Sequence, residues 1–392
     1  MRVLVLGAGM YVTGRDGTGH GTVLSSLFQY ARRSPVSKVT VVARSPGNGP
    51  KVADAAERIA KLLRTSLAVS YQTIQGSDLE RDTARLCEAG RYDCAIVSLP
   101  DHLHAPPIRA LMRGQVPTLV VKPFTSTLRD ALEILALQRE TGTYGAVEFH
   151  KRFDESNLYA KRALEEGLIG RPLYMSVDYS QRISIPTRVF RDWVARTNVF
   201  QYLGVHYVDL AYFLLGYQPT MVSAYGTSGV LRAQGIDAFD SIHVMLEWEG
   251  RTESERLISQ FNTNWIDPEC TSAMSDQRFK IVGTAGRLEL DQRNRGIELV
   301  CASSGIRHVN PYFSEFLPGP DGQPEFQGYG YRSIACFLDD VTSLRNGTVT
   351  IEALERCRPT FRQAAVSTAV IDAVNSALAS PLEWRRVNGL PG

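Results

Sequence analysis

The sequence lacks long hydrophobic runs and blocks of like charge. Its longest apolar stretches, such as VDLAYFLL, fall well short of the ~20 residues that a membrane-spanning helix needs. The opening run VLVLG is too short for the apolar region of a signal peptide, and no cleavage site follows it. Lys and Arg number 43 against 41 Asp and Glu, a net charge of +2 without a basic block for nucleic-acid phosphates. We therefore expect a cytoplasmic protein without a membrane or nucleic-acid partner.

Cysteine patterns that bind metals are also missing. The 6 cysteines are scattered, with no CxxC pair and no Cys/His cluster, which argues against structural zinc. The 44% hydrophobic and 21% charged residues are typical of a folded globular protein. A chain of 392 residues is too long for one ordinary core, so we expect two domains.

What the sequence does contain, up to about residue 147, is an alternation of short apolar runs with helical stripes. The runs predict buried parallel strands at RVLVLG, KVTVVAR, CAIVSLP, PTLVVKP and YGAVEFH. Strands that alternate with helices form βαβ units, so residues 1–147 predict a doubly wound parallel sheet of the Rossmann type.

Beyond residue 147 the pattern changes to runs in which apolar and polar residues alternate. Examples are PLYMSVDYSQR, DSIHVMLEWEG and RFKIVGTAGRLELD, which are typical of an antiparallel sheet with one open face. We expect residues 148–392 to form an α+β domain that binds substrate and mediates oligomerisation, with C-terminal helices able to pack back on the first domain.

A glycine-rich stretch follows the first predicted strand. Gly7 and Gly9 stand where glycine lets a backbone approach a pyrophosphate, and Met10, which follows them, is a further candidate for cofactor binding. The third position of the usual GxGxxG pattern is Val12 instead. Several extra residues precede the helix predicted from Thr22, among them Gly14, Gly17, Gly19 and Gly21. The stretch predicts a dinucleotide site with a widened loop.

The end of the second strand bears on which dinucleotide binds. An acidic residue there usually contacts the ribose hydroxyls of NAD, but this chain has Arg44 and Ser45. Arginine suits a 2′-phosphate, and serine could add one hydrogen bond, which favours NADP over NAD. The alternative is that Arg44 stacks on the adenine, which would fit either cofactor.

Two further blocks resemble the Gfo/Idh/MocA oxidoreductase family. That family has a strand ending in Pro-x-x-x-His, seen here as Pro100 and His104, and a following strand ending in Glu-Lys-Pro, seen here as Val121-Lys122-Pro123. A later Asp-x-Gly-x-His-x-x-Asp helix is matched at Gly204, His206 and Asp209. The resemblance runs in order over residues 2 to 380 and implies an NAD(P)-dependent oxidoreductase.

The resemblance implies chemistry at Lys122 and His206. A lysine at the carboxyl edge of a parallel strand also projects toward a nicotinamide on physical grounds. Alcohol oxidation needs a proton acceptor, which His206 would supply, and a charge that polarises the oxygen, which Lys122 would supply. The chain departs from the family at Tyr202, where an acidic residue is usual. One alternative is that Tyr202 takes over that role, even as a proton donor or acceptor. The others are that the chemistry depends on His206, or that dehydrogenase activity is weakened or lost.

Other residues are secondary candidates. Ser98, Pro100, His102 and His104 end a strand that faces the cofactor, although both histidines could equally be loop residues. For the substrate, the sequence suggests Arg152, Trp193 and Trp265 beside Lys122, Tyr202 and His206. A structural ion pair for Arg152 and core positions for the tryptophans are the alternatives.

The leading hypothesis is an NAD(P)-dependent dehydrogenase or reductase that acts on a ring hydroxyl or ketone of a sugar, aminosugar or cyclitol. The first alternative is an enzyme of the same fold that uses nicotinamide transiently to cleave a glycosidic bond. The second is a non-catalytic protein that senses a sugar or the cofactor. An open sheet face is commonly covered by another subunit, so we expect a homodimer or homotetramer.

Overall fold

The computed structural model describes residues 1–14, 20–252, 254–303 and 305–390. The chain divides into two compact units, each built from separate stretches. The first comprises Met1–Thr125, Arg129–Phe153 and Tyr312–Ala364, and the second comprises Ser126–Leu128, Asp154–Pro311 and the stretch from Ala365 onward. This division is discontinuous, unlike the single boundary near residue 147 that the sequence suggests.

The first unit is organised around a six-stranded parallel sheet with the strand order β3-β2-β1-β4-β5-β6. The predicted doubly wound sheet is confirmed. The strand β3 was not predicted, because its sequence VSYQT is only partly buried and lacks an apolar run. The strands are β1 Arg2–Leu6, β2 Lys38–Ala43, β3 Val69–Thr73, β4 Cys94–Val97, β5 Thr118–Val121 and β6 Gly145–Glu148.

Helices connect these strands. The helix predicted from Thr22 is present, and a one-turn helix precedes it directly after the first glycines. The helices are α1 Met10–Thr13, α2 Thr22–Ala31, α3 Asn48–Leu63, α4 Leu79–Gly90, α5 Ala105–Arg113 and α6 Leu128–Thr141. Further along the chain come α9 Tyr329–Arg345, α10 Ile351–Glu355 and α11 Phe361–Leu378. Buried side chains of β1, β2, α2, α3 and α9 share one hydrophobic core.

The second unit contains a seven-stranded sheet with the order β12-β11-β7-β10-β9-β8-β17. Its pairings are antiparallel except for β7 with β10, which run parallel, so the predicted mainly antiparallel sheet is confirmed. The strands are β7 Pro172–Arg182, β8 Gln218–Thr227, β9 Ser241–Glu249, β10 Arg256–Asp267, β11 Ser275–Gly283, β12 Arg287–Asp291 and β17 Arg385–Arg386.

One face of this sheet is covered and the other is open. On β9 the side chains of Val244 and Leu246 are buried, whereas Met245 between them is 44% exposed. Two helices belong to this unit, α7 Glu155–Glu165 and α8 Val205–Leu215. Buried side chains of α8 contribute to the core on the covered face of the sheet.

Two separate hairpins complete the described structure. They pair β13 Ile297–Cys301 with β14 Gly305–Val309, and β15 Glu315–Pro318 with β16 Pro324–Gln327. Among the helices described, none combines the length and apolar character required to cross a bilayer.

Candidate active site

The ends of β1 and β4 approach each other so closely that only glycine fits between them. Gly7 has φ +112°, and a Cβ atom built on it would lie 1.9 Å from the carbonyl oxygen of Ser98. The Ser98 N–H in turn donates to Leu6 O at 2.8 Å. Gly7 therefore meets two requirements, a positive φ and space for a neighbouring backbone.

Gly9 has a different role, because a Cβ atom built there would meet nothing within 4 Å. It precedes α1, whose first turn receives no hydrogen bond from a capping side chain. The open space and the uncapped N–H groups that begin at Met10 fit a phosphate of a dinucleotide. Two glycines of the predicted widened loop, Gly17 and Gly19, lie outside the described residues.

Gly21 belongs to the packing of the two helices rather than to an open surface. A Cβ atom on Gly21 would lie 2.1 Å from the carbonyl oxygen of Val12, so the start of α2 lies against α1. Val12 itself is fully buried in the core of the first unit. The departure from GxGxxG therefore reflects an extra helical turn between the first glycines and α2.

Arg44 and Ser45 follow β2 directly and are both exposed. Ser45 begins a turn in which its carbonyl oxygen accepts hydrogen bonds from the Asn48 N–H and from the Tyr71 hydroxyl. The Arg44 guanidinium forms no ion pair with another residue in the described part of the chain. Its charge is thus available to a ligand at the carboxyl end of β2.

His104 is fully buried, and the backbone engages both of its ring nitrogens. Nδ1 lies 2.8 Å from Pro123 O, and Nε2 lies 2.8 Å from Leu99 O. This geometry corrects the prediction that His104 contacts the cofactor, because neither nitrogen is left for a ligand. The ring instead ties the loop after β4 to the segment that carries Lys122.

The other residues predicted in this loop lie closer to its surface. Ser98 and Pro100 are half-buried at the end of β4, and Pro100 leads into a 3₁₀ turn, Asp101–Leu103. His102, which is also half-buried, is part of that turn. Of the two predicted histidines, His102 is therefore the one that stays a candidate for cofactor contact.

Lys122 follows the last residue of β5, and its peptide bond to Pro123 is cis. Burial lowers the pKa of Lys122 to about 8, while the charges of Asp101 and Glu148 act in the opposite direction. Both carboxylates belong to the first unit and are almost inaccessible to solvent. Lys122 thus loses its proton near neutral pH more readily than an ordinary lysine.

Glu148, which was not predicted as a site residue, ends β6 and is 1% exposed. Its Oε2 lies 3.1 Å from Nδ1 of His150. Burial and the nearby Glu148 carboxylate raise the pKa of Tyr11 well above its usual value. The sequence signal that could have identified Glu148 as a candidate site residue is a glutamate at the end of the otherwise apolar strand GAVE.

Arg152 is buried, and its Nη1 donates a hydrogen bond to Oε1 of Gln363 at 2.5 Å. It follows His150 in a short 3₁₀ segment, His150–Phe153, that closes the sheet of the first unit. The hydrogen bond to Gln363 is to a neutral amide and not the ion pair that the sequence left open, so a substrate contact by Arg152 stays a prediction.

In the second unit, a continuous helical segment carries Tyr202, His206 and Asp209. A turn of π-helix, Phe200–Gly204, runs directly into α8, so spacings of four and three bring these side chains toward one side. A Cβ atom on Gly204 would lie 2.4 Å from the Phe200 ring, which explains the glycine in this motif. His206 is 5% exposed, and its ring centroid lies 6.4 Å from that of Tyr179.

Tyr202 and Trp193 belong to one aromatic cluster. The Phe190 ring packs at 4.3 Å from Trp193 and edge-on at 4.6 Å from Tyr202, measured between centroids. Both outer residues are only half-buried, so part of each remains accessible. Two residues that the sequence suggested separately are thus brought together by Phe190.

Trp265 has a different environment. It is 0% exposed, and its indole N–H donates to Phe239 O at 2.7 Å. A fully buried ring cannot stack on a sugar, so the prediction that Trp265 contacts substrate is corrected to a core position.

Comparison with known families agrees with these two halves of the chain. Residues 1–149 match the oxidoreductase family with an NAD-binding Rossmann fold, Gfo/Idh/MocA. Residues 157–289 match the Gfo/Idh/MocA C-terminal domain. The chain belongs to the Gfo/Idh/MocA oxidoreductase family. The resemblance noted in the sequence is therefore confirmed, and the first unit is an NAD-binding Rossmann domain.

Individual relatives within the Gfo/Idh/MocA family are named inositol dehydrogenases. An inositol 2-dehydrogenase of Rhizobium meliloti is 24% identical over 76% of this chain and 83% of its own length. Inositol 2-dehydrogenase 4 of Saccharopolyspora erythraea is 28% identical, but over 38% of this chain and 43% of its own length. This second match spans less than half of the relative.

A solved structure shows the same fold over its whole length. It is scyllo-inositol dehydrogenase from Lactobacillus casei with bound NAD(H) and scyllo-inositol. The two chains superpose with a TM-score of 0.68 at 14% identity, covering 99% of each. At this identity the likeness establishes the Gfo/Idh/MocA fold and leaves the substrate to be argued from the site.

The two loop glycines predict different effects on dinucleotide binding. We expect Gly9→Ala to unfold at the same temperature as the parent protein but to bind NAD(P) at least about tenfold more weakly, because the methyl group fills the phosphate space. Gly7→Ala should lower the free energy of unfolding by about 2 kcal/mol, because it combines positive φ with a backbone clash. Thermal unfolding and cofactor titration check both variants. Unchanged cofactor affinity in Gly9→Ala would contradict this assignment.

Proposed function

We propose that this protein is an NAD(P)-dependent dehydrogenase or reductase that acts on a ring hydroxyl or ketone of a cyclitol, sugar or aminosugar. The observation that carries the proposal is the half-buried Lys122 at the carboxyl end of β5, in a sheet whose Gly9 loop fits a dinucleotide phosphate. Ligands of such sheets bind outside the carboxyl ends of the strands, which is where Lys122 begins.

In this mechanism Lys122 supplies positive charge and His206 supplies a proton acceptor. The Lys122 ammonium donates a hydrogen bond to the reacting oxygen of the substrate and stabilises negative charge as the proton leaves. His206 accepts the hydroxyl proton during oxidation and returns it during reduction. The nicotinamide, when bound, accepts or supplies the hydride. The Tyr202 hydroxyl, four residues before His206, donates or accepts the hydrogen bond that a carboxylate makes in other family members.

The names of some relatives and an aromatic side chain support the proposed substrate class. Two relatives are named inositol 2-dehydrogenases, and one structural neighbour, a scyllo-inositol dehydrogenase, was solved with scyllo-inositol. The half-buried Trp193 offers an aromatic face next to Tyr202 through the Phe190 cluster. An aromatic face of this kind suits the C–H face of a cyclitol or pyranose ring. Inositols are therefore the first substrates to test.

Replacement of Lys122 should abolish turnover without abolishing cofactor binding. We expect Lys122→Ala to lower kcat by about 10²-fold or more, because it removes the charge on the reacting oxygen. The measurement follows the absorbance of reduced nicotinamide with a panel of inositols, sugars and aminocyclitols. The exposed Lys61, which pairs with Glu57, supplies the matched control Lys61→Ala. Product formation without net cofactor reduction would favour the glycosidase-type alternative, and tight binding without turnover would favour a sensing protein.

The role of Tyr202 is tested by a pair of substitutions at the same position. We expect Tyr202→Phe to lose most of the activity and Tyr202→Asp to retain it, because aspartate restores a hydrogen-bonding group. Tyr212→Phe, at a half-buried tyrosine on α8, controls for the general loss of a phenol. Full activity in Tyr202→Phe would show that His206 and Lys122 suffice.

For the cofactor, we propose a preference for NADP over NAD. Arg44 is exposed at the carboxyl end of β2, has no ion-pair partner among the described residues, and is followed by Ser45. An unpaired guanidinium favours the extra phosphate of NADP by charge-assisted hydrogen bonds.

Arg44→Ala separates the two cofactors. We expect its Kd for NADP to rise by about tenfold to a hundredfold and its Kd for NAD to change by less than about threefold, since only NADP offers the 2′-phosphate. Arg85→Ala, at an exposed arginine near Asp82 in the same unit, is the control. Equal losses for both cofactors would instead indicate stacking on adenine.

We also propose that the open sheet face of the second unit forms a homo-oligomer. Tyr225 and Met245 are exposed on this face at 44% each, on the neighbouring strands β8 and β9. Large apolar side chains on an open sheet are commonly covered by another subunit. A homodimer or a homotetramer would cover them.

Charge on this face should disrupt such an assembly. We expect Met245→Glu to shift the sedimentation coefficient toward that of a monomer, because a desolvated carboxylate without a partner opposes association. Leu158→Glu is a matched control, since Leu158 is also 44% exposed but lies on α7. A monomeric parent protein would refute the proposal at once.

A further inference from the structure

The sheet of the first unit places a buried carboxylate beside the strand that carries Lys122. Glu148 is the last residue of β6, and in the parallel register it is paired with Val121, the last residue of β5. Neighbouring strands lie about 4.8 Å apart, so Lys122 leaves its strand within about one strand spacing of Glu148. The two charged residues therefore share one edge of the sheet.

The Glu148 carboxylate is held in place by its surroundings. Its Oε2 contacts His150 Nδ1 at 3.1 Å, and the His150 ring lies against Phe313 and Tyr329, with centroids 4.9 Å and 5.6 Å away. The Tyr11 phenol is close enough to the carboxylate for Glu148 to raise the pKa of Tyr11. Glu148 is thus oriented by His150 and has the Tyr11 phenol near it.

A buried carboxylate is costly unless a positive charge or hydrogen bonds compensate it. The same is true of a desolvated ammonium, and the charges acting on Lys122 come from Glu148 and Asp101. Asp101 lies in the 3₁₀ turn after β4, on the other side of β5 in the sheet order. Lys122 is therefore flanked by carboxylates from both neighbouring strands.

This arrangement bears on the two positions where the chain departs from its family. Val121 stands where the family motif has glutamate, and Tyr202 stands where the family helix has an acidic residue. The strand register sets Glu148 next to Val121, on the same face of the sheet. A carboxylate absent from the end of β5 is thus present at the end of β6.

We propose that Glu148 is a positioning residue for Lys122: its buried carboxylate, oriented by His150, keeps the Lys122 ammonium charged and directed along the carboxyl edge of the sheet. The electrostatic part of this proposal concerns the first unit alone. Its consequence for turnover rests on the dehydrogenase function proposed above.

The protonation of Lys122 can be measured without any substrate. Acetic anhydride labels neutral amines, so the labelling rate of Lys122 against pH, followed by peptide mass spectrometry on the full-length protein, reports its pKa. We expect Glu148→Gln to lower the midpoint of the labelling curve of Lys122 by about one pH unit. At pH values below the midpoint, Lys122 should therefore be labelled about tenfold faster in this variant than in the parent protein. The plateau at high pH should stay the same, because it reports accessibility rather than charge.

Controls separate this effect from a loss of structure. Glu148→Asp keeps the negative charge, so its labelling midpoint should lie close to that of the parent protein. This variant also tests the proposal if Glu148→Gln folds poorly. Glu355→Gln removes a half-buried carboxylate of the same unit that accepts a hydrogen bond from Thr360 instead, and should leave the Lys122 midpoint unchanged. The labelling rate of the exposed Lys61 in the same sample is the internal reference for the activity of the reagent. An unchanged midpoint in folded Glu148→Gln, or a change confined to the plateau, would overturn the proposal.

The consequence for catalysis is read from the pH profile. Lys122 acts as an ammonium, so activity falls as the pH rises through its pKa. In Glu148→Gln the alkaline limb of kcat/KM should move to lower pH by the same interval as the labelling midpoint, whereas a purely structural loss would lower the profile without moving it. A shift in labelling without turnover on any substrate would sink the dehydrogenase function and leave the Glu148–Lys122 coupling standing.

Discussion

Taking an ammonium out of water is expensive, and the first unit is built around that constraint. Lys122 lies between the ends of β4 and β6, and each neighbour places a buried carboxylate near it, Asp101 on one side and Glu148 on the other. Desolvation favours the neutral amine and the two carboxylates favour the ion. The balance leaves Lys122 with a pKa of about 8, so the ammonium form still predominates at neutral pH.

Backbone contacts hold this charged edge in place. His104 joins the carbonyl oxygens of Leu99 and Pro123, so the loops after β4 and β5 are fastened on either side of Lys122. Gly7 allows the end of β1 to lie against Ser98 at the end of β4. The same edge of the sheet therefore carries the Gly9 loop and Lys122, the two features on which the proposed function rests.

The second unit supplies its groups through helix packing. Gly204 lets the π-helical turn close on Phe200, and this turn leads into the helix with His206. The Tyr202 ring packs against the Phe190 ring, with centroids 4.6 Å apart, where other family members have an acidic residue. In the function proposed above, a neutral phenol would replace that acid.

Much of the fold and part of the candidate site could be predicted from the sequence. Apolar runs in alternation with helical stripes indicate a parallel sheet, because that signal depends on local pattern. The oxidoreductase assignment came from the resemblance to the Gfo/Idh/MocA family at Lys122 and His206. The strand β3 escaped prediction because VSYQT is half-polar.

Only the tertiary structure decided which of the polar and aromatic candidates are buried. Contacts outside their own elements bury His104, Arg152 and Trp265, although sequence pattern made them plausible site residues. Glu148 became visible through its register with β5, which sequence spacing does not encode. Local pattern determines elements, whereas burial and charge pairing depend on contacts between residues far apart in the chain.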